Sequence, residues 1–114
     1  MPCTDPRDVT SLDQAFDLTS LTIQSWELML IWKAEELGLL ELSHHAHRAA
    51  RDDSIPTVAV YRVVRDGIPR SKDITMTRAR HVGINFEGKR RGGGRFRAKV
   101  SWASRYVIAT VHAI

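Results

Sequence analysis

Hydrophobic residues recur at helical spacing through the first half of the chain. Ser11–Gln14 has the form of a capping box, which predicts that a short helix begins there. Apolar positions near every third or fourth residue predict a longer helix over 21–37, and Gly38 is typical of a helix C terminus. A further helical segment is predicted over 39–51, with one long helix running through Gly38 as the alternative.

The pattern changes after Asp52–Pro56, which is the clearest break in the chain. Residues 57–64 are rich in β-branched side chains and therefore predict a strand. Residues 68–73 predict a loop. Residues 74–86 predict an extended segment with an interruption near Gly83.

Two further strands are predicted after a glycine-rich loop at 87–94. Over Arg95–Ala103 apolar and polar side chains alternate, which is the pattern of a strand with one buried face. Tyr106–Ala113 is apolar on both faces, as is typical of an inner strand. Together the segments predict an α+β fold with N-terminal helices packed on one face of a roughly four-stranded antiparallel sheet.

Length and composition suit one small domain. The chain has 114 residues, 43% of them hydrophobic. We expect a flexible N terminus over 1–10 and a single domain over 11–114, with a helical part at 11–53 and a β meander at 56–114. One cysteine excludes an intrachain disulfide, and the absence of a signal-peptide pattern favours a cytoplasmic protein.

Charge divides the chain in two. Residues 1–53 contain four Lys/Arg and ten Asp/Glu, a net charge of −6, whereas residues 54–114 contain thirteen Lys/Arg and three Asp/Glu, a net charge of +10. The change in charge falls where the predicted helices give way to predicted strands. A basic half of this kind favours a polyanionic partner.

The predicted strand at Arg95–Ala103 gathers cations on one side. Its alternation puts them on the face opposite the apolar residues, and the glycines of the preceding loop let a backbone approach phosphate closely. We therefore predict a nucleic-acid-binding protein, with RNA favoured over DNA because the helices show no recognition-helix pattern. The predicted phosphate contacts are Lys89, Arg90, Arg91, Arg95, Arg97, Lys99, Arg78 and Arg80.

Other interpretations of this cationic surface stay open. The cations would simply face solvent, or they would pair with the acidic helices of the same chain. Lys and Arg on outer strands also protect a sheet edge from aggregation. If nucleic acid does bind, exposed rings at Tyr61, Tyr106 or Trp102 would stack on unpaired bases.

A metal-independent ribonuclease is one alternative function. Cleavage of RNA needs a general base, a general acid and a cation for the phosphate. His81 and His112 fall on predicted strands, and Glu87 supplies a carboxylate. Nucleotide-binding and serine hydrolase motifs are absent from the sequence, so binding without catalysis is favoured and enzymatic activity is left undecided.

A histidine cluster at His44, His45 and His47 invites a comparison with metal sites. On a helix, two of these side chains could share a metal ion. No cysteine supports such a site and the HExxH motif is absent. We therefore predict neither a metal site nor a cofactor, and assign the cluster to a solvated helix surface.

The helices carry more apolar surface than one small sheet obviously hides. A homodimer through Trp26, Met29 and Trp32 would bury this surplus. Alternatively, these residues form the core between the helices and the sheet. A further alternative is a viral or phage accessory or assembly protein that acts by protein–protein interaction.

Overall fold

The computed structural model describes residues 3–75 and 82–114. In this part of the chain a 3₁₀ turn at Pro6–Asp8 is followed by helices and strands. The helices are α1 (Leu12–Ala15), α2 (Ser25–Glu36), α3 (His44–Asp52) and α4 (Thr57–Asp66). The strands are β1 (Glu41–Leu42), β2 (Ile68–Ile74), β3 (Val82–Lys89), β4 (Arg95–Trp102) and β5 (Tyr106–Ala113).

The described strands form one five-stranded sheet in the order β1-β5-β4-β3-β2. β2 to β5 are antiparallel neighbours, whereas the two-residue β1 pairs with β5 in parallel. The α+β class is therefore confirmed. The prediction of a roughly four-stranded antiparallel sheet was wrong in detail, because β1 adds a fifth strand and makes the sheet mixed.

The core lies between one face of the sheet and the helices. Strand alternation puts apolar side chains on this helix side: Val82, Ile84 and Phe86 from β3, and Phe96, Ala98 and Val100 from β4, all buried. The helices meet them with buried residues from α2 and α4, which include Leu30, Ile31, Val60 and Val64. The opposite face of the sheet is thus left to polar side chains.

α4 occupies residues for which a strand was predicted, and that prediction was wrong. Val60, Val63 and Val64 are spaced for one face of a helix, and all three are buried. The free energy of burying them outweighs the weak preference of β-branched residues for strands. Gly88 permits the close packing, since a Cβ at that position would lie 2.5 Å from Cγ2 of Val63.

β2 also corrects a prediction, because residues 68–73 were expected to form a loop. β2 lies at the edge of the sheet, where a proline such as Pro69 does not interrupt a ladder on both sides. The register shifts between Pro69 and Ser71, so Arg70 is an extra residue in the strand. The change from helix to sheet therefore falls at Gly67 rather than at Asp52–Pro56.

Two helix boundaries differ from the predicted ones. The long helix begins only at Ser25, after an irregular segment, and the region 39–51 contains β1 before α3 begins. Gly38 does follow the end of α2, with a φ of 72° that favours glycine. None of the described helices has the length and apolar character needed to cross a membrane.

A buried ion pair joins α2 to β2. Nζ of Lys72 lies 2.9 Å from Oε2 of Glu27, and both side chains are completely buried. Glu27 also accepts hydrogen bonds from the backbone N–H groups of Asp17 and Gln24, at 2.9 and 2.7 Å. The pair therefore fixes β2 and the segment before α2 to the same carboxylate.

Candidate nucleic-acid interface

The face of the sheet opposite the helices carries alternating polar residues. We call it the open face. Its members are Ser71 and Asp73 on β2, Asn85, Glu87 and Lys89 on β3, Arg95, Arg97 and Lys99 on β4, and Thr110 and His112 on β5.

Strand register arranges the open face in rows. In one row Glu87 is paired with Arg97, and Arg97 is paired with His112. Side chains that are directly opposite on neighbouring strands have Cβ atoms about 4.5–5.5 Å apart. A carboxylate, a guanidinium and an imidazole are thus consecutive neighbours across three strands.

Glu87 is the centre of an arginine cluster. Its Oε2 accepts a hydrogen bond from Nε of Arg70 at 2.8 Å and lies 3.8 Å from Nε of Arg97, while its Oε1 lies 3.4 Å from Nη1 of Arg95. The hydrogen bond from Arg70 lowers the pKa of Glu87 against the opposing effect of burial, and Arg95 and Arg97 lower it further. The carboxylate is therefore ionised at neutral pH.

The next row is held by hydrogen bonds. Nδ2 of Asn85 donates to Oγ of Ser71 at 3.0 Å and to Oδ2 of Asp73 at 3.1 Å. Nζ of Lys99 lies 2.9 Å from Oδ2 of the same aspartate. These contacts fix the polar side chains of three strands without covering them.

A broad groove of about 1070 Å³ runs over the open face. Its floor includes Arg97, Lys99 and His112. At the β5 edge Ser43 and His45, at the start of α3, form one wall. Such a groove can admit an extended chain, with Arg97 and Lys99 beneath it and both imidazoles towards its β5 edge.

The acidic half of the chain does not neutralise these cations through the contacts seen in the described residues. Among these contacts, two ion pairs join the acidic and basic halves of the chain. Glu27–Lys72 lies on the helix side of the sheet, and Glu41–Arg105 lies at the β4–β5 turn. The carboxylates that do contact open-face cations, Glu87 and Asp73, belong to the sheet itself.

The loop between β3 and β4 is a defined turn. The N–H of Arg90 donates to the carbonyl of Gly94 at 2.9 Å, and three consecutive glycines have positive φ. Arg90 does not project with the other cations, because its Nη2 donates to the carbonyl of Asp53 on the helix side at 2.6 Å. Lys89 and Arg91 are exposed. The loop thus presents part of the predicted cationic set rather than all of it.

Of the predicted phosphate contacts on the open face, Arg95 and Arg97 are exposed, whereas the side chain of Lys99 is only 13% exposed and pairs with Asp73. Arg78 and Arg80 lie outside the described residues, as does His81. Of the predicted ribonuclease residues, Glu87 and His112 therefore lie in one cross-strand row, with Arg97 between them.

The histidine cluster is exposed throughout and contributes one side chain to the groove. His44, His45 and His47 are all exposed on α3, and His45 also lines the groove. Oγ of Ser43 accepts a hydrogen bond from the N–H of Ala46 at 3.0 Å and so caps the helix. Within the described residues no group of three His, Cys, Asp or Glu side chains is placed to hold a metal ion.

The predicted stacking role of the aromatic residues was wrong for Tyr106. Its ring is buried edge-on against Phe16, and its hydroxyl donates to the carbonyl of Ala15 at 3.0 Å. Burial raises the pKa of Tyr106, so the phenol stays protonated. Tyr61 and Trp102 pack against the helix-side core and are only partly exposed.

The apolar residues of α2 are unequal in exposure. Trp26 packs against the core, whereas Met29 is 67% exposed. Trp32 is 37% exposed, and its indole N–H donates to the carbonyl of Val64 at 2.9 Å. Core packing thus accounts for Trp26 and for part of Trp32, but not for Met29.

Sequence reasoning missed several residues of the groove and of the arginine cluster beside it. Arg70 was placed in a loop, although it makes the shortest contact with Glu87. Asn85 and Thr110 were not singled out, and their signal was the alternation with apolar neighbours that places them on the open face. His45 was considered only as a metal ligand.

Family models, curated proteins and solved structures were all compared with this chain, and none of them matches it.

Proposed function

We propose that the protein binds RNA through the open face of its sheet. The observation that carries the proposal is the row structure of this face, in which Arg95, Arg97 and Lys99 lie on one strand. Arg97 and Lys99 line the floor of the groove, and Arg95 lies beyond it towards the β3–β4 turn. Guanidinium groups bind phosphate in bidentate fashion, and a line of cations at strand spacing follows an extended backbone. Lys89 and Arg91 extend the line at the β3–β4 turn.

The composition of the groove favours RNA over DNA. Side chains that can hydrogen-bond a ribose 2′-hydroxyl, such as Asn85 and Thr110, lie among the cations. The groove is formed by a sheet, whereas sequence-specific recognition of duplex DNA commonly uses a helix in the major groove. A single cysteine, Cys3, fits a reducing compartment such as the cytoplasm, where RNA is abundant.

A salt series measures the proposed contacts. We expect short single-stranded RNA to bind with an association constant that falls steeply between about 50 and 200 mM salt, since each phosphate contact contributes about 0.7 to the slope of log K against log salt. Arg95→Gln and Arg97→Gln should each flatten that slope by roughly one contact. The method is fluorescence anisotropy with a labelled oligonucleotide.

Arg62→Gln is the matched control. Arg62 is an exposed arginine on α4, on the other side of the sheet, and its removal changes the net charge by the same amount. An equal loss of affinity from Arg62→Gln and Arg97→Gln would show that binding depends on net charge alone. Absence of RNA binding at low salt would refute the proposal itself.

We propose a homodimer as a second, separate property, in which α2 of one copy faces α2 of another. It is supported by the exposure of Met29 and by the half-exposed ring of Trp32 on the same helix. The arrangement would leave both open faces accessible, since α2 lies on the helix side of the sheet. The same patch suits a protein partner in an accessory or assembly role.

A further inference from the structure

We propose that the row of Glu87, Arg97 and His112 cleaves RNA by transfer of the phosphate to the ribose 2′-oxygen. The inference rests on the proposed RNA binding, because the open face must first hold the substrate. It adds a reaction and assigns a role to each of the three residues. Arg97 and His112 line the groove, whereas Glu87 lies beside it with a side chain that is 7% exposed beneath its arginines.

The spacing of the row fits a phosphodiester. β3 and β5 are separated by β4, so their backbones are about 9–10 Å apart at strand spacing. Glu87 and His112 extend from these two strands on the same face, and Arg97 projects between them. A phosphate seated on Arg97 would have the carboxylate on one side and the imidazole on the other, which is the arrangement that in-line displacement requires.

Glu87 is suited to act as the general base. It is ionised at neutral pH because Arg70 hydrogen-bonds it at 2.8 Å. Its contacts with Arg95 and Arg97 are longer, at 3.4 and 3.8 Å, so these two guanidiniums can turn to a phosphate while Arg70 stays in place. The negative charge of that phosphate then favours the protonated carboxyl, which strengthens Glu87 as a proton acceptor. Arg70 is in this sense a positioning residue.

His112 is suited to act as the general acid. It is exposed on the open face and lines the groove. Imidazole is the side chain that most readily exchanges protons near neutral pH. His45 also lines the groove, but it lies on α3, whereas His112 is the direct cross-strand neighbour of Arg97. This adjacency assigns the role to His112.

The reaction balances without a further reactant. Glu87 takes the proton of the 2′-hydroxyl, and the 2′-oxygen forms a bond to phosphorus. The bond between phosphorus and the 5′-oxygen breaks, and His112 in its protonated form gives its proton to that oxygen. Arg97 and Arg95 stabilise the additional negative charge on the non-bridging oxygens. The products are one strand that ends in a 2′,3′-cyclic phosphate and one that begins with a 5′-hydroxyl.

The test separates binding from cleavage by using two oligonucleotides of one sequence. Binding is measured with RNA whose 2′-oxygens are all methylated, which lacks the attacking hydroxyl. Cleavage is measured with unmodified RNA, and the product ends are identified by mass spectrometry. We expect wild type to bind the first and cut the second, with cyclic phosphate ends.

His112→Ala should lower the cleavage rate by about 10²–10⁴-fold while leaving the affinity for methylated RNA nearly unchanged. Glu87→Gln should lower the rate similarly, with circular dichroism as a check on folding because the arginine cluster loses its carboxylate. His44→Ala is the matched control, since His44 is an exposed histidine of α3 that does not line the groove. It should retain both binding and cleavage.

Three results would overturn the inference. If wild type binds methylated RNA but leaves unmodified RNA intact, the reaction is refuted and the proposed binding stands. If it binds neither methylated nor unmodified RNA and does not cut, both are refuted. If cutting survives in His112→Ala at the wild-type rate, the assigned general acid is wrong.

Discussion

The buried ion pair between Lys72 and Glu27 gives the sharpest test of how the fold is held together. Lys72→Met keeps an unbranched side chain of similar length but removes the ammonium. Glu27 then stays completely buried, with the N–H groups of Asp17 and Gln24 as its remaining hydrogen-bond donors. A buried charge that has lost its partner costs about 3–5 kcal/mol, which is a large share of the roughly 5–15 kcal/mol that stabilises a small domain.

Urea denaturation followed by circular dichroism measures this loss as a fall in the unfolding midpoint. The double variant Glu27→Gln with Lys72→Met removes both charges. It should be more stable than Lys72→Met alone, because no uncompensated charge is left in the core. Arg65→Met is the matched control, since Arg65 pairs with Asp66 only at the surface, with more than half of both side chains exposed.

Two results would refute this reasoning. One is a Lys72→Met variant whose midpoint matches that of Arg65→Met, which would mean that the ammonium contributes no more than a surface charge. The other is a double variant that is less stable than Lys72→Met. In that case the carboxylate, even without its ammonium partner, would stabilise the segment before α2 through its backbone hydrogen bonds more than it costs to bury.

Two further predictions concern Glu87 and the apolar side of α2. Arg70 lowers the pKa of Glu87 in the folded state below the 4.5 of an unperturbed glutamate. Ionisation of Glu87 therefore stabilises the fold above pH 4.5, and this contribution is lost as the pH falls through the lower folded pKa. The unfolding free energies of wild type and Glu87→Gln should therefore differ most near neutral pH and converge in acid, and a constant difference over the range would contradict the ion-pair account. Met29→Gln should shift sedimentation from dimer to monomer without changing the circular dichroism spectrum, whereas Val58→Gln, which alters an exposed apolar residue of α4, should not. A wild-type protein that sediments as a monomer at all concentrations would refute the dimer.

The parts of the fold that could be predicted were those in which local pattern and tertiary burial agree. β4 alternates apolar and polar side chains along its whole length, and its observed burial follows that alternation as far as Val100, beyond which polar Ser101 is buried. β5 and the glycine that follows α2 were predicted for similarly local reasons. In each case a single face or a single backbone angle determines the structure.

The errors arose where tertiary contacts decide between two local patterns. The valines of 57–64 fit both a strand, by their branching, and a helix, by the spacing of Val60, Val63 and Val64. Burial against β3 and β4 selects the helix. β2 was mistaken for a loop because it contains Pro69 and charged residues, which only an edge strand tolerates. β1 consists of two residues and has no detectable pattern of its own.

Residues of the candidate site could be predicted from the sequence, but not which of them would be neighbours in the sheet. Glu87 and His112 were named for chemical reasons, and the alternation of β3 places Glu87 two residues beyond Asn85, on the same face of the sheet. The register that brings Glu87, Arg97 and His112 into one row depends on the turn between β3 and β4 and on the irregularity after Lys99. Register of this kind is set by the pairing of strands and cannot be predicted from the sequence of any one strand alone.

The position of Glu87 is the strongest support for the proposal that the open face does more than bind phosphate. A surface selected only for polyanion binding gains nothing from a carboxylate among its arginines, because the carboxylate repels phosphate and reduces the net charge of the site. Three arginines converge on this carboxylate, one of them at 2.8 Å, although Glu87 is among the few acidic residues of the basic half. If Glu87 served only to hold the arginines in place, Glu87→Gln would bind RNA at least as tightly and would lose only the stability that the ion pairs provide. If it is the base that the row requires, tighter binding will be accompanied by loss of cleavage, and this combination separates a catalytic carboxylate from a structural one.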